Sequence, residues 1–469
     1  MIGFGLGLSK YLSFGLGEYY PYAVYGLALL VALLCICYRS EAGILFIAFL
    51  LPIFALLNKT LKLDLPLAKD IIDILVVTML LGWLFHGRKK QEDLSGHSPL
   101  LIPILLLMGF SLFSYFMGSA YLGEDIIPDL TVKDWQANVR LANWKNYMIM
   151  PLLYLISYYN LKDRKWKYAL FILLFFSFLI MDLKFRQAFG WVQHTHYVEE
   201  MRLGGTFAYL NANAWGAFHA IYTLLIIGLF LVDKQLWRRI AYIILICGGI
   251  YSLMYSYSRG GYVGFLVGLF FIGIIRARKL LVPLIIFLLI WKIVVPISVV
   301  ERVEGIFLSE EERGTETISV GDTKLYSVGR KHLWEKALNY FSENPIFGVG
   351  FGTFERLTRM DTHNVYFKTI AEQGLVGLLI YLWFYFLALR SGWRLYRRAD
   401  EGLLKAFGFG FVCAVVGSMV VNMFGERWIY LQLSGLYWIF WALVDQENGR
   451  LKNIEGRRLE AGSTEIGGR

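Results

Sequence analysis

Thirteen apolar runs, each near the length of a membrane crossing, constrain this chain more than any other feature. They lie at about 20–38, 42–57, 70–86, 99–119, 146–160, 169–183, 212–232, 240–257, 260–275, 280–300, 374–389, 406–424 and 428–445. A helix of about 20 apolar residues crosses the hydrocarbon core, and a backbone buried in lipid has to satisfy its own hydrogen bonds. The composition agrees, with 57% hydrophobic and only 17% charged residues, where a soluble domain carries about 25% charged. Soluble folds are thereby excluded. The expected architecture is an all-α polytopic membrane protein of about 12–13 transmembrane helices.

The net charge of +10 does not point to nucleic acid, because its distribution follows the membrane. Connections on one side of the runs, ending with 446–469, carry 24 Lys and Arg in 74 residues, against 21 in 163 on the other. The denser side is cytoplasmic by the positive-inside bias. The chain reads as one integral membrane domain, 1–445, with a short cytoplasmic tail, 446–469. The N-terminal 20 residues lack the basic start and apolar segment of a cleavable signal peptide. Cys35, Cys37, Cys247 and Cys413 all lie in apolar runs and form neither a disulfide framework nor a zinc spacing.

The same assignment puts the longest connection, 301–373, on the extracytoplasmic side. Its first part, around 310–319, is polar and acidic. Its second part, from Arg330 to Phe341, repeats apolar residues at Leu333, Trp334, Ala337, Leu338 and Phe341, which is one face of a helix. Asn344-Pro345 and Gly348 stop it. Such an amphipathic helix beside a membrane is expected to lie in the interface with its apolar face toward lipid.

Four polar clusters share the extracytoplasmic side. They are Arg202-Leu-Gly-Gly-Thr-Phe207 with Asn211 and Asn213; Ser258-Arg259-Gly260-Gly261; Arg330 with Trp334, running on to Asn344-Pro345 and Gly348-Val-Gly350-Phe-Gly352; and Thr362-His363-Asn364. Arginines at the bilayer boundary are functional candidates, and a guanidinium holds phosphate oxygens bidentately while keeping its charge. Arg202 and Arg259 beside His363 suit an anionic, pyrophosphate-bearing, lipid-linked substrate, with His363 as general base. Taken singly, Arg202 and Arg259 read as snorkelling to headgroups and His363 as capping a loop. Taken together, the four clusters favour a site.

The clusters, in this order, resemble the O-antigen ligase and O-antigen polymerase family of membrane glycosyltransferases. The resemblance covers Arg202 to Val376. It rests on Arg202 with Gly-Thr-Phe and Asn213, on Ser258-Arg259-Gly-Gly, on Arg330 with Trp334 leading to Asn344-Pro345-Ile-Phe-Gly348-Val-Gly350, and on His363-Asn364 followed by Glu372-Gln-Gly374. It implies about twelve spans, nine of them before the long loop, where ten runs are counted here. It also implies transfer of a glycan from undecaprenyl pyrophosphate to an acceptor hydroxyl on the periplasmic face of the inner membrane. In that role Arg202 and Arg259 bind pyrophosphate and His363 activates the acceptor, with Arg330, Trp334, Asn213 and Asn364 as further substrate-binding candidates. Membrane lipids and a glycolipid or glycan acceptor are the implied partners.

No cofactor and no metal is expected. Preorganised guanidinium groups suffice to stabilise a departing pyrophosphate in a water-excluded site. Glu124, Asp125 and Asp129 read as a solvated stretch, and His194-Thr-His196 lacks nearby cysteine or carboxylate to complete a metal site. Lys292 falls inside an apolar run with no evident partner. Ligase activity toward lipid A-core is preferred. A polymerase taking a second lipid-linked glycan, a protein O-oligosaccharyltransferase and, from a different class, a lipid-linked oligosaccharide transporter are the alternatives. A transporter would show repeated halves with intramembrane charges, and no repeat is evident.

Overall fold

The fold is described from a computed structural model, which covers residues 20–53, 71–86, 98–123, 139–189, 196–207, 211–304, 318–320, 323–325, 330–400 and 402–467. Each apolar run contains a helix among its described residues. In chain order they are α1 (Tyr20–Cys37), α2 (Ser40–Leu50), α3 (Ile71–His86), α4 (Leu101–Leu122), α5 (Val139–Asn160), α6 (Arg164–Phe189), α7 (Ala212–Val232), α8 (Leu236–Met254), α9 (Arg259–Ile275) and α10 (Leu281–Val294). The short α11 (Ile297–Glu304), α12 (Arg330–Glu343) and α13 (Thr353–Thr358) follow, and α14 (Val365–Arg398), α15 (Gly402–Val421) and α16 (Leu431–Gly467) complete the chain. The protein is an all-α polytopic membrane protein. The only strands among the described residues form a small antiparallel hairpin, Ile318–Val320 with Thr323–Leu325, inside the long connection.

Helix length separates the runs. Among the described residues six helices (α4, α6, α7, α8, α14 and α15) are long and apolar enough to cross a membrane, or seven if the bent α10–α11 pair is one span. Others are shorter for local reasons. The 11 residues of α2 end in a 3-10 turn that contains Pro52, since proline removes a donor from the helix ladder. The chain turns by 105° between α10 and α11, at Val295-Pro296. Lys292, unpartnered in the sequence, pairs across that elbow with Glu304 at 2.5 Å. Beyond residue 445 the tail continues as the end of α16.

Two helices form the centre. The spanning stretches of α7 and α15 are 83% and 72% buried, against 22% for α8. They meet through small residues: a Cβ added at Gly228 would stand 2.5 Å from Gly410 Cα, so only glycine admits this approach. Trp215, Tyr222, Trp438 and Trp441 fill the space around them, each almost fully buried.

Much of the apolar face of α12 turns inward, although Leu338 is 45% exposed. Leu333 and Ala337 pack on Phe354 and Ala371, and Trp334 stacks on Phe367 with ring centroids 5.1 Å apart and planes 6° from parallel. The expected lipid-facing orientation is thus corrected. What covers this face is the first stretch of α14, which ends where Gly374 (φ 62, ψ −160) interrupts the helix.

That interruption is clamped by the glycine-rich segment after α12. Val349 N–H donates to Ala371 C=O (2.9 Å), Gly350 N–H to Glu372 C=O (2.8 Å) and Leu375 N–H to Pro345 C=O (2.9 Å). Glu372 accepts from the N–H groups of Gly352 (2.9 Å) and Phe354 (3.1 Å). Arg140 secures the far side, donating to Phe351 C=O and Tyr115 C=O. Gly350, at φ 108, leaves no space, since a Cβ there would lie 2.1 Å from Gly118 N. Gly350→Ala is therefore expected to destabilise the fold by about 2–3 kcal/mol through backbone strain and overpacking. Gly109→Ala, where nothing lies within 4 Å, is the control, expected to be neutral or stabilising by about 0.5–1 kcal/mol. Unfolding midpoints in detergent compare the two, and equal midpoints would refute the tight contact.

Candidate active site

The arginine cluster forms where two helices begin. Asn211 caps α7, its side chain accepting from Ala214 N–H at 3.1 Å, and Ser258 caps α9, accepting from Gly261 N–H at 3.2 Å. Glycines let these two N-termini approach: a Cβ on Gly216 would lie 2.4 Å from Ser258 Cβ, and one on Gly261 3.0 Å from the Gly216 backbone. Helix N-termini carry partial positive charge, so their convergence favours an anion.

Beside them lies a cavity of about 440 Å³. Arg202, Arg259, Arg302 and Arg427 line it together with Asn213 and Ser258, and Ala217, Val263, Val421 and Phe424 supply its apolar wall. No carboxylate is among these lining residues. Arg202 is oriented by Asn213, whose side-chain oxygen accepts from Nη2 at 2.8 Å. Arg302 donates from Nε to Tyr257 C=O (3.3 Å) and lies over the Tyr197 ring at 5.0 Å. Glu199 stands next to the cavity, paired with both Arg202 and Arg302. Burial pushes the Glu199 carboxyl up, but hydrogen bonds from Tyr197 and Arg202 and the nearby guanidinium charges outweigh this and hold it below the ordinary carboxylate range.

His363 occupies an adjoining loop. Its backbone is left-handed at φ 52, a conformation that costs a non-glycine residue about 1–3 kcal/mol. The loop around it is over-determined. The Thr362 hydroxyl donates to Asn364 C=O (2.9 Å), Trp334 Nε1 donates to Thr362 C=O (3.1 Å), and the Asn364 side chain caps α14 by accepting from the N–H groups of Tyr366 and Phe367. The imidazole Nδ1 stands 3.3 Å from Asp361 Oδ2 while 42% of the histidine side chain stays exposed. Burial raises the Asp361 carboxyl, yet the hydrogen bond to His363 and the charge of Lys368 more than offset it and bring it down to about 2.

The connection between α15 and α16 joins loop and cavity. Val365 N–H donates to Asn422 C=O at 3.0 Å, and Asn422 lies between the lining residues Val421 and Phe424. Asn422 Oδ1 also accepts from Arg427 N–H at 3.0 Å, and Lys368 pairs with Glu426. Arg202, Asn213 and Arg259 thus share one cavity, whereas His363 and Asn364 belong to the loop tied to its wall and Trp334 supports that loop from α12. Trp334 Nε1 and Asn364 Oδ1 are engaged in holding the backbone.

Arg330 begins α12, but its side chain lies outside the described residues. So do Glu124, Asp125, Asp129, His194 and the N-terminal 19 residues. His196 is described and pairs with Glu301 at 2.7 Å. Among the described residues no three His, Cys, Asp or Glu gather as a metal site. Arg302, Arg427, Glu199 and Asp361 escaped the sequence reading. Arg427 carried a usable signal, an arginine in a short connection between two apolar runs, which is the argument that singled out Arg259.

Residues 241–382 match the model of the family described as O-antigen ligase. The matched stretch runs from α8 into α14 and contains Arg259, Arg302, Asp361, His363 and the Glu372-Gln373-Gly374 break, while Arg202 and Asn213 precede it. The match supports placing the chain with the O-antigen ligase family. No curated protein matches the chain.

Proposed function

We propose, from the O-antigen ligase match and the geometry together, that this protein transfers a glycan from undecaprenyl pyrophosphate to an acceptor hydroxyl. Lipid A-core is the acceptor of the ligase type, and the site faces the periplasm at the bacterial inner membrane. The observation that carries this reading is the cavity of about 440 Å³ lined by four arginines and no carboxylate, tied through Val365 and Asn422 to the His363–Asp361 pair. A diester diphosphate fits such a lining, and its bond to the sugar would lie toward the histidine loop.

In the step so arranged, the acceptor oxygen attacks the anomeric carbon as its proton passes to the ring nitrogen of His363 that Asp361 leaves available. The bond between the anomeric carbon and the pyrophosphate oxygen breaks, and its electron pair leaves on that oxygen. The guanidinium groups hold the additional charge, which they stabilise more as it develops than in the bound donor. Asp361, 3.3 Å from Nδ1, keeps the imidazole oriented.

Full-length protein in nanodiscs, given polyprenyl-pyrophosphate oligosaccharide and, in separate reactions, lipid A-core, a second donor molecule or a peptide, tests the reading. A product joined to lipid A-core is the expected result. Extension of the second donor identifies a polymerase and a glycopeptide identifies protein glycosylation, while movement of donor without covalent product overturns the enzyme reading. Arg202→Gln and Arg259→Gln are each expected to reduce kcat/KM by about 10- to 150-fold, the worth of a charge-assisted hydrogen bond. Chelator is expected to leave the rate unchanged, and inhibition reversed by added magnesium would count against metal-independent transfer.

A further inference from the structure

Glu199 is placed as an internal anion among the arginines. It begins the 3-10 turn Glu199–Met201, close before the N-terminus of α7. One carboxylate oxygen accepts from Arg202 Nη1, and the other accepts from Arg302 Nη1 (3.4 Å) and from the Tyr197 hydroxyl. The two guanidiniums come from different parts of the chain, one from the loop before α7 and one from α11, and both line the cavity. A pair of oxygens bridging two guanidiniums is also how a phosphate group would be held.

The surroundings let the carboxylate leave without unbuilding the arginines. Arg202 keeps Asn213, and Arg302 keeps Tyr257 C=O and the Tyr197 ring. The strand of chain before Glu199 is anchored separately, because Glu301 accepts from Tyr197 N–H at 2.6 Å and pairs with His196. Glu199 itself is 52% exposed, whereas each arginine is 17% exposed, so the carboxylate is the partner with solvent to move into.

We propose that Glu199 is a resident anion that bridges Arg202 and Arg302 when the cavity is empty and yields its place to a phosphate group of the donor, which makes Arg302 a donor-binding residue. This rests on the cavity being the diphosphate site. Four guanidiniums facing an empty cavity would repel one another, and the carboxylate offsets part of that repulsion. Donor binding exchanges one anion for another, and return of the carboxylate after transfer assists departure of the lipid diphosphate.

Equilibrium binding of undecaprenyl diphosphate to the full chain in nanodiscs of zwitterionic lipid separates this inference from the reading beneath it. Glu199→Gln removes the competing charge and is expected to tighten binding about three- to tenfold, while Arg302→Gln weakens it about tenfold or more. The two changes are coupled, so Glu199→Gln should tighten binding less in an Arg302→Gln background. Arg302→Lys, which keeps the charge, is expected to retain part of the affinity, and it decides the matter with Glu199→Gln if Arg302→Gln fails to fold. If Arg259→Gln weakens binding but Glu199→Gln weakens or does not alter it, the diphosphate site stands and the resident-anion role is overturned. If Arg259→Gln also has no effect, both fall. Equal tightening toward phosphatidylglycerol would show a site for any headgroup phosphate and would likewise overturn the inference.

Discussion

Replacing His363 by alanine is expected to lower glycan transfer by about 10²- to 10⁴-fold, the range of a lost general base, while the protein still inserts and keeps its unfolding midpoint. The expectation of an intact fold follows from geometry. Residue 363 is held at φ 52 by hydrogen bonds of Thr362, Asn364 and Trp334, none of which involves the imidazole, and alanine meets the same backbone strain as histidine. The expectation of lost turnover follows from the pairing. With Nδ1 3.3 Å from Asp361, the other ring nitrogen is the one left to take a proton. Asp361 lies at about 2, below the ordinary carboxylate value. Its contribution to stability is thus complete above that ordinary value and is lost only as pH falls toward 2, so it stays ionised wherever transfer is measured. Asp361→Asn should accordingly lower kcat by about 10²-fold with little change in KM. Full activity of His363→Ala would remove the proposed base, and a change confined to KM in Asp361→Asn would make that residue a binding group instead.

The parts of this arrangement that could be read from the sequence are those encoded over short distances. Apolar runs became helices because burial in lipid leaves the backbone no alternative, but run length alone could not tell the central α7 and α15 from shorter pieces such as α2. Asn213 and Arg259 were legible because each stands at a helix start, and Arg202 because it opens the polar cluster before α7; the structure gathers all three around one cavity. Arg302 was not, because its place depends on the 105° bend after α10, which composition does not reveal. Asp361 stands two residues before His363, a spacing that shares a face on a strand but not on a helix, and the segment here is a loop that is neither. In that loop, with His363 left-handed, the two side chains stand 3.3 Å apart. The periodicity of α12 placed Leu333, Trp334 and Ala337 on the packed face but also Leu338, which is exposed, and which surface covers the face depends on the break at Gly374, where a Cβ would lie 2.4 Å from the Ile346 backbone.

A second large effect is expected at Lys368, behind the histidine loop. Lys368 and Glu426 form an ion pair whose side chains are 8% and 9% exposed, and Lys368→Met should destabilise the protein by about 3–5 kcal/mol by stranding the carboxylate. Among the residues lining the cavity of about 30 Å³ beside the pair, Lys368 is the one cation, with Glu372, Glu426 and neutral residues around it. Glu372 is a second carboxylate, held in place by the Gly352 and Phe354 N–H groups, and adds like charge to the site. Combining Lys368→Met with Glu426→Leu removes both charges and should recover most of the loss, because a buried pair replaced as a unit by apolar groups is often neutral. The same pair fastens the α15–α16 connection to α14, next to Arg427 and two residues before the Trp428 that packs on Tyr381 at 5.2 Å. Donor binding should therefore weaken in the single variant and return in the double one. A single variant with an unchanged unfolding midpoint, or a double variant as unstable as the single, would show that this pair does not hold the wall between the arginine cavity and the histidine loop.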